Sequence, residues 1–128
     1  MRALIRWASG WVTVRVTGNS MTPTLRAGDT VLVRRGASIR PGDVVLARFR
    51  AGFTDPVLKR AQARVENGWL LSSDNVRAGS DSRTYGVAEA EGRAYWVWRA
   101  EISGSRLGGR RHQRWFGGRV AQPPGDGL

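Results

Sequence analysis

The chain is 128 residues long, 41% hydrophobic, and carries a formal net charge of +11 at pH 7; this length and apolar content support one packed domain with a modest core and exclude wholesale disorder. It has no cysteine and one histidine, His112, which excludes disulfides, cysteine nucleophiles and thiolate metal sites, and leaves no multi-histidine metal site within one chain. The positive charge is spread evenly, with 16 basic and 8 acidic side chains in residues 1–99 and 5 and 2 in residues 100–128, so the chain is not a neutral body with a basic arm and charge alone argues weakly for nucleic acid.

At the N-terminus Arg6 interrupts Ala3-Leu4-Ile5, so no apolar leader core forms. No run approaches the ~18 apolar residues that a membrane span needs. The expectation is a soluble, cytoplasmic protein without a transmembrane segment. Trp7 and Trp11 beside Arg2 and Arg6 read as edge or core packing, with peripheral membrane contact as the alternative.

Residues 11–17 (WVTVRVT) alternate, with Val12, Val14 and Val16 on one face, which predicts a half-buried strand. Gly18-Asn19 breaks that pattern just before Ser20. Two segments then repeat, Arg26-Ala27-Gly28-Asp29 and Arg40-Pro41-Gly42-Asp43, each followed by an apolar run. Each predicts a Gly-Asp turn leading into a strand. Residues 57–65 (VLKRAQARV) and 69–73 (WLLSS) flank Glu66-Asn67-Gly68, a strong hairpin signal. Residues 74–86 are a polar loop, and residues 93–99 (RAYWVWR) read as the last strand. The fold expected is mainly β, in a single β-domain over residues 1–102. The Gly/Arg/Pro-rich residues 103–128 are expected to be a mobile tail.

Two side chains carry chemistry. Lys59 is the only lysine among 21 basic residues. Arginine keeps its proton at any physiological pH, whereas a buried lysine can fall to a pKa of about 5–8 and act as a general base. Ser20 follows a strand and a Gly-Asn bend. Such a bend can expose a hydroxyl while turning backbone N–H groups towards a developing oxyanion. On position alone, Ser20 serves equally as a turn residue and Lys59 as a strand lysine reaching water. A serine activated by a neutral lysine is a variant of triad chemistry.

Four motifs, in order, resemble those of the type I signal peptidases and their LexA-like relatives. Gly18-Asn19-Ser20-Met21-Thr22-Pro23-Thr24-Leu25 looks like G-x-S-M-x-P-T-L. Arg40-Pro41-Gly42-Asp43-Val44-Val45 resembles R-x-G-D-[IV]-V. Leu58-Lys59-Arg60 resembles the catalytic-lysine strand, and Ser73-Asp74-Asn75 with Ser80-Asp81-Ser82-Arg83 and Gly86 resembles G-D-N…S-x-D-S-R…G. The resemblance covers residues 16–86 and implies a compact core of coiled, mostly antiparallel sheets. It implies Ser20 as nucleophile and Lys59 as general base, with no metal or other cofactor. The Ser20 N–H would serve the oxyanion, with Gly18, Asn19, Met21 and Pro23 shaping the site. Asp81 and Arg83 would form a supporting ion pair, and Asp74 and Asn75 would hold the loop beneath.

This sequence departs from the family pattern in informative ways. Gly18 stands where many export enzymes have an oxyanion-binding serine, and Gly79 where many have a serine bonded to the lysine. Ser73 replaces the glycine of G-D-N. Ser80 or Ser82 is the expected auxiliary hydroxyl. Only 15 positions (74 − 59) separate Lys59 from Asp74, too few for a large inserted domain. The compact outline is similar to the nickel-type superoxide dismutase maturation proteases of bacteria. That likeness implies a protein precursor as partner, and nickel that belongs to the substrate. The alternatives are a signal-peptidase-like protease of another substrate, self-cleavage as in LexA-like repressors, or, in a different class, a basic nucleic-acid-binding module suggested by the Trp/Arg content of 93–119.

Overall fold

The computed structural model describes residues 4–8, 10–52, 55–77, 85–100 and 111–115, with side chains described over 10–52, 55–77 and 85–99. Among the described residues eight strands form one antiparallel sheet: β1 (Leu4–Ala8), β2 (Trp11–Arg15), β3 (Thr30–Arg35), β4 (Val44–Phe49), β5 (Val57–Val65), β6 (Gly68–Ser72), β7 (Ala88–Ala100) and β8 (Arg111–Trp115). The mainly-β expectation holds. Among the described residues no helix is long and apolar enough to cross a membrane.

The organising strand is β7. It pairs with β3 over residues 92–98, with β4 over 88–93 and with β8 over 96–100, and meets β6 at the Trp69–Ala88 pair. Where two partners share the same β7 residues they must lie on opposite edges. One edge therefore carries β6 then β3, and the other β4 then β8. The path β7–β4–β5–β6 closes back on β7, forming a small closed unit beside the open β1–β2–β3 wing. Register shifts place an extra residue in β7 at Tyr95, opposite Leu32/Val33, and at Glu91, opposite Leu46/Ala47. Such bulges bend a strand and sharpen its twist, as closure requires.

Two cores result. The first contains Val12, Val14, Met21, Leu25, Val31, Val33, Leu58 and Val97; the second, inside the closed unit, contains Phe49, Ala61, Trp69 and Leu71. β4 faces both, with Val44 and Leu46 in the first and Val45, Ala47 and Phe49 in the second. Its run Val44-Val45-Leu46-Ala47 therefore lacks the alternation of a one-sided strand. In β2, Val12 and Val14 are buried as expected, and Thr13 on the opposite face is buried too.

Both Arg-x-Gly-Asp segments form the same turn. Asp29 N–H donates to the Arg26 carbonyl at 3.0 Å and Asp43 N–H to that of Arg40 at 3.1 Å. Each Asp side chain accepts from the backbone N–H of its Arg, at 2.8 and 2.9 Å. Gly42 has φ +98°, the left-handed value that the third position of such a turn requires, with Pro41 pre-set before it. Val65 pairs with Gly68, so the β5–β6 hairpin turns on Glu66-Asn67. Gly68 serves a different need there: a Cβ would sit 2.4 Å from the Ala88 carbonyl of β7, so the closed unit depends on its absence.

β1 and β8 extend the sheet beyond the strands read from the sequence, and β7 begins five residues before the 93–99 strand expected. In the 103–128 segment, residues 111–115 form β8; its other residues lie outside those described.

Candidate active site

The two repeated turns each anchor one half of the site. In the first, Val16 N–H donates to the Asp29 carbonyl and Gly28 N–H to the Val16 carbonyl, both at 2.8 Å. This fixes the chain four residues before Ser20. In the second, Gly42 N–H donates to the Ala61 carbonyl at 2.7 Å and Ala61 N–H to the Asp43 carbonyl at 2.8 Å. This fixes β5 two residues after Lys59. The same local motif, used twice, sets both segments against the sheet.

A cleft of about 150 Å³ brings Ser20 and Lys59 together, walled by Val16, Met21, Leu25, Val57 and Leu58 and completed by Thr17 and Gly18. Lys59 is only 5% exposed. Burial at that depth penalises an ammonium relative to a neutral amine. Lys59 Nζ donates to Ser73 Oγ at 2.8 Å. Gly18 leaves the mouth open, since a Cβ there would meet nothing within 4 Å. Met21 is buried in the wall, while Pro23, after the cis Thr22–Pro23 peptide, is exposed and does not line the cleft.

Three consecutive residues tie the two halves together. Ser73 accepts from Lys59. Asp74 takes a bidentate ion pair from Arg60, with Nη2–Oδ2 at 2.6 Å and Nε–Oδ1 at 3.1 Å, and accepts from the Thr24 hydroxyl. Asn75 donates its backbone N–H to the Ser20 carbonyl at 2.9 Å and its side-chain amide to the Asn19 carbonyl at 3.1 Å and to Thr22 Oγ1 at 3.1 Å. Successive strand residues face opposite sides. Lys59 accordingly reaches the cleft while Arg60 reaches Asp74 and, through Nη1, the Gly42 carbonyl at 2.8 Å. The Arg60 and Asp74 side chains are 1% and 0% exposed.

The Ser20 loop is held from a second direction. Arg99 of β7 grips Asp29, with Nη2–Oδ2 at 2.9 Å and Nε–Oδ1 at 3.0 Å, and its Nη2 reaches the Thr24 carbonyl at 3.3 Å. Hydrogen bonding to Asp29 holds the Arg99 guanidinium above its ordinary range; burial opposes this and the Asp29 charge reinforces it.

Of the residues the sequence singled out, Ser20, Lys59, Gly18 and Met21 line the cleft, and Asn19, Asp74 and Asn75 support its loop. Ser80, Asp81, Ser82 and Arg83, the expected ion pair among them, lie outside the described residues. Sequence reasoning gave no role to Thr24 or Arg60. It noted Ser73 only as a replaced glycine. The available signal for Arg60 is its place next to Lys59; its register partner, Ser72, stands two residues before Asp74.

A hydroxyl and an amine in one apolar-walled cleft suit acyl transfer, with the serine attacking a carbonyl and the amine carrying its proton. No curated protein matches the chain. A family model described as Peptidase S24-like matches residues 3–91, a span that holds both repeated turns, Ser20, Lys59 and residues 73–75. That span is more than half of the chain, which therefore belongs to the Peptidase S24-like family, serine peptidases of the LexA and signal-peptidase kind.

Proposed function

We propose that the chain is an endopeptidase that cuts with a Ser20–Lys59 dyad and removes an N-terminal propeptide or leader from a protein precursor. The observation that carries this reading is the shared cleft of Ser20 and the only lysine of the chain. Ser20 Oγ attacks the scissile carbonyl as its proton passes to Lys59 Nζ, giving a tetrahedral oxyanion that the Ser20 backbone N–H helps to bind. The C–N bond then breaks, and Lys59 returns the proton to the leaving amine. Water, deprotonated by Lys59, attacks the acyl-Ser20 ester; the ester breaks, giving a carboxylic acid and restoring the hydroxyl. The sum is one amide and one water converted to a carboxyl group and an amine.

The substrate proposed is a nickel-type superoxide dismutase precursor, on the strength of the compact motif outline; nickel enters only as cargo of that substrate. The chain would act in the cytoplasm, with no specific nucleic acid as partner. The test is to incubate the purified chain with that precursor, beside Ser20→Ala and Lys59→Ala, and to read the new N-terminus by mass spectrometry. The expected result is one cleavage by the wild type and none by either variant. Equal cleavage by all three would remove the dyad. Cleavage of a different leader, with this precursor left intact, would remove the substrate alone.

A further inference from the structure

A lysine acting as a base has to do more than lose its proton. Its neutral amine has one lone pair, and that lone pair must face the serine hydroxyl when the substrate arrives. The four-carbon stem works against this, because its free rotation spreads the amine over many orientations. Something has to hold the amine.

We infer that the Ser73 hydroxyl is the positioning residue for Lys59, accepting one N–H of the amine so that its lone pair is turned into the cleft that Ser20 lines. This rests on the proposed dyad and goes beyond it by naming the group that orients the base. Three observations carry it. Lys59 Nζ lies 2.8 Å from Ser73 Oγ, and both residues are only 5% exposed, so bulk water competes little for either. Arg60 pairs with Ser72, the last residue of β6, so Ser73 leaves the strand one step beyond the partner of the residue next to Lys59. The next residue, Asp74, is locked by two hydrogen bonds from Arg60, which holds the backbone carrying Ser73 in place. Ser73 stands where the related motif has glycine, and Gly79 where many relatives have a serine bonded to the lysine, so the hydroxyl here comes from a different position.

The single lysine allows a test that needs no substrate. Protein labelled with [15N]lysine gives one Nζ resonance, because Lys59 is the only source of it. Its pH titration is recorded in the wild type, Ser73→Ala and Ser73→Thr. An acceptor for the N–H favours the protonated amine. Ser73→Ala is therefore expected to move the titration midpoint to lower pH, and Ser73→Thr, which keeps the hydroxyl, to restore it. With a cleaved precursor, Ser73→Ala should lower kcat by about ten- to a hundredfold, the scale of a misplaced catalytic group, and leave KM unchanged.

An Nζ titration unchanged in Ser73→Ala would overturn the inference whether or not a substrate has been found. So would a kcat loss that Ser73→Thr repeats in full while its melting temperature stays at the wild-type value. A shifted titration in a protein that cleaves no precursor would instead uphold the Ser73–Lys59 coupling and count against the proteolytic reading.

Discussion

Replacing Asp74 with Asn tests the claim that one ion pair underlies both the fold and the site. Asn keeps the size and one carbonyl oxygen but removes the negative charge opposite Arg60. The side chains are 1% and 0% exposed, so no solvent can take over the guanidinium. An exposed pair would contribute ~0–1 kcal/mol, whereas stranding one partner of a buried pair costs about 3–5 kcal/mol. Asn retains part of the hydrogen bonding, which puts the expected loss at the low end, about 3 kcal/mol. For a domain near 100 residues, each kcal/mol moves the melting temperature by roughly 4–8 °C, so the shift should be at least about 12 °C. Tryptophan fluorescence during heating, with urea denaturation at 25 °C as a second measure, reads this directly. The double variant Arg60→Met/Asp74→Leu should recover at least about half of the loss, because an apolar pair strands no charge. A loss in Asp74→Asn below about 1 kcal/mol would mean that the pair behaves as a surface contact, and would refute the reasoning.

Three further outcomes follow from the same geometry. Lys59→Arg keeps the charge but cannot deprotonate, so cleavage should fall to the level of Lys59→Ala while circular dichroism shows the fold retained. Gly18→Ser adds a Cβ into open space and a hydroxyl beside the cleft; since an oxyanion donor is worth ~10²–10³ in kcat, a rise of about tenfold is expected, and an unchanged or lower kcat would show that the hydroxyl misses the oxyanion. Arg99→Ala should destabilise the Ser20 loop equally at pH 7 and pH 10. The Asp29 pair raises the guanidinium's proton affinity, so its stabilisation is complete below the ordinary arginine value and is lost only above the raised one, outside this window; stability curves at the two pH values would expose any difference.

The strands that the sequence made legible are those whose environment matches a simple period. β2 shows its valines every second residue, and the two Gly-Asp turns announce themselves by repetition. The start of β7 was hidden because Ala88-Glu89-Ala90-Glu91-Gly92 has no β-branched or aromatic residue; it is a strand because β4 pairs with it. Asn67-Gly68 marks the hairpin, but its turn residues are Glu66 and Asn67, and Gly68 answers instead to the carbonyl of β7. In the site, Ser20 and Lys59 were legible as chemically distinctive residues in recognisable motifs. Ser73 was not, because serine is common and its meaning comes from the hydrogen bond that it accepts from Lys59 just past β6. Arg60 was one arginine among twenty until its partner Asp74 closed on it.

The central place of β7 also bears on when the molecule becomes complete. Its pairings with β3 join residues 57 to 68 positions apart, from Arg35–Gly92 to Thr30–Trp98. Contacts this distant must absorb the entropy of closing a long loop before they return any stability, and such topologies fold slowly. During synthesis the β1–β2–β3 wing, which leads into and out of the Ser20 loop, waits with an unpaired edge until nearly a hundred residues have been made. Asp74, Asn75 and Arg99, whose side chains steady that loop, also arrive late. Proteolytic competence should therefore be gained abruptly, near the end of folding, and no N-terminal fragment that stops short of β7 should carry it.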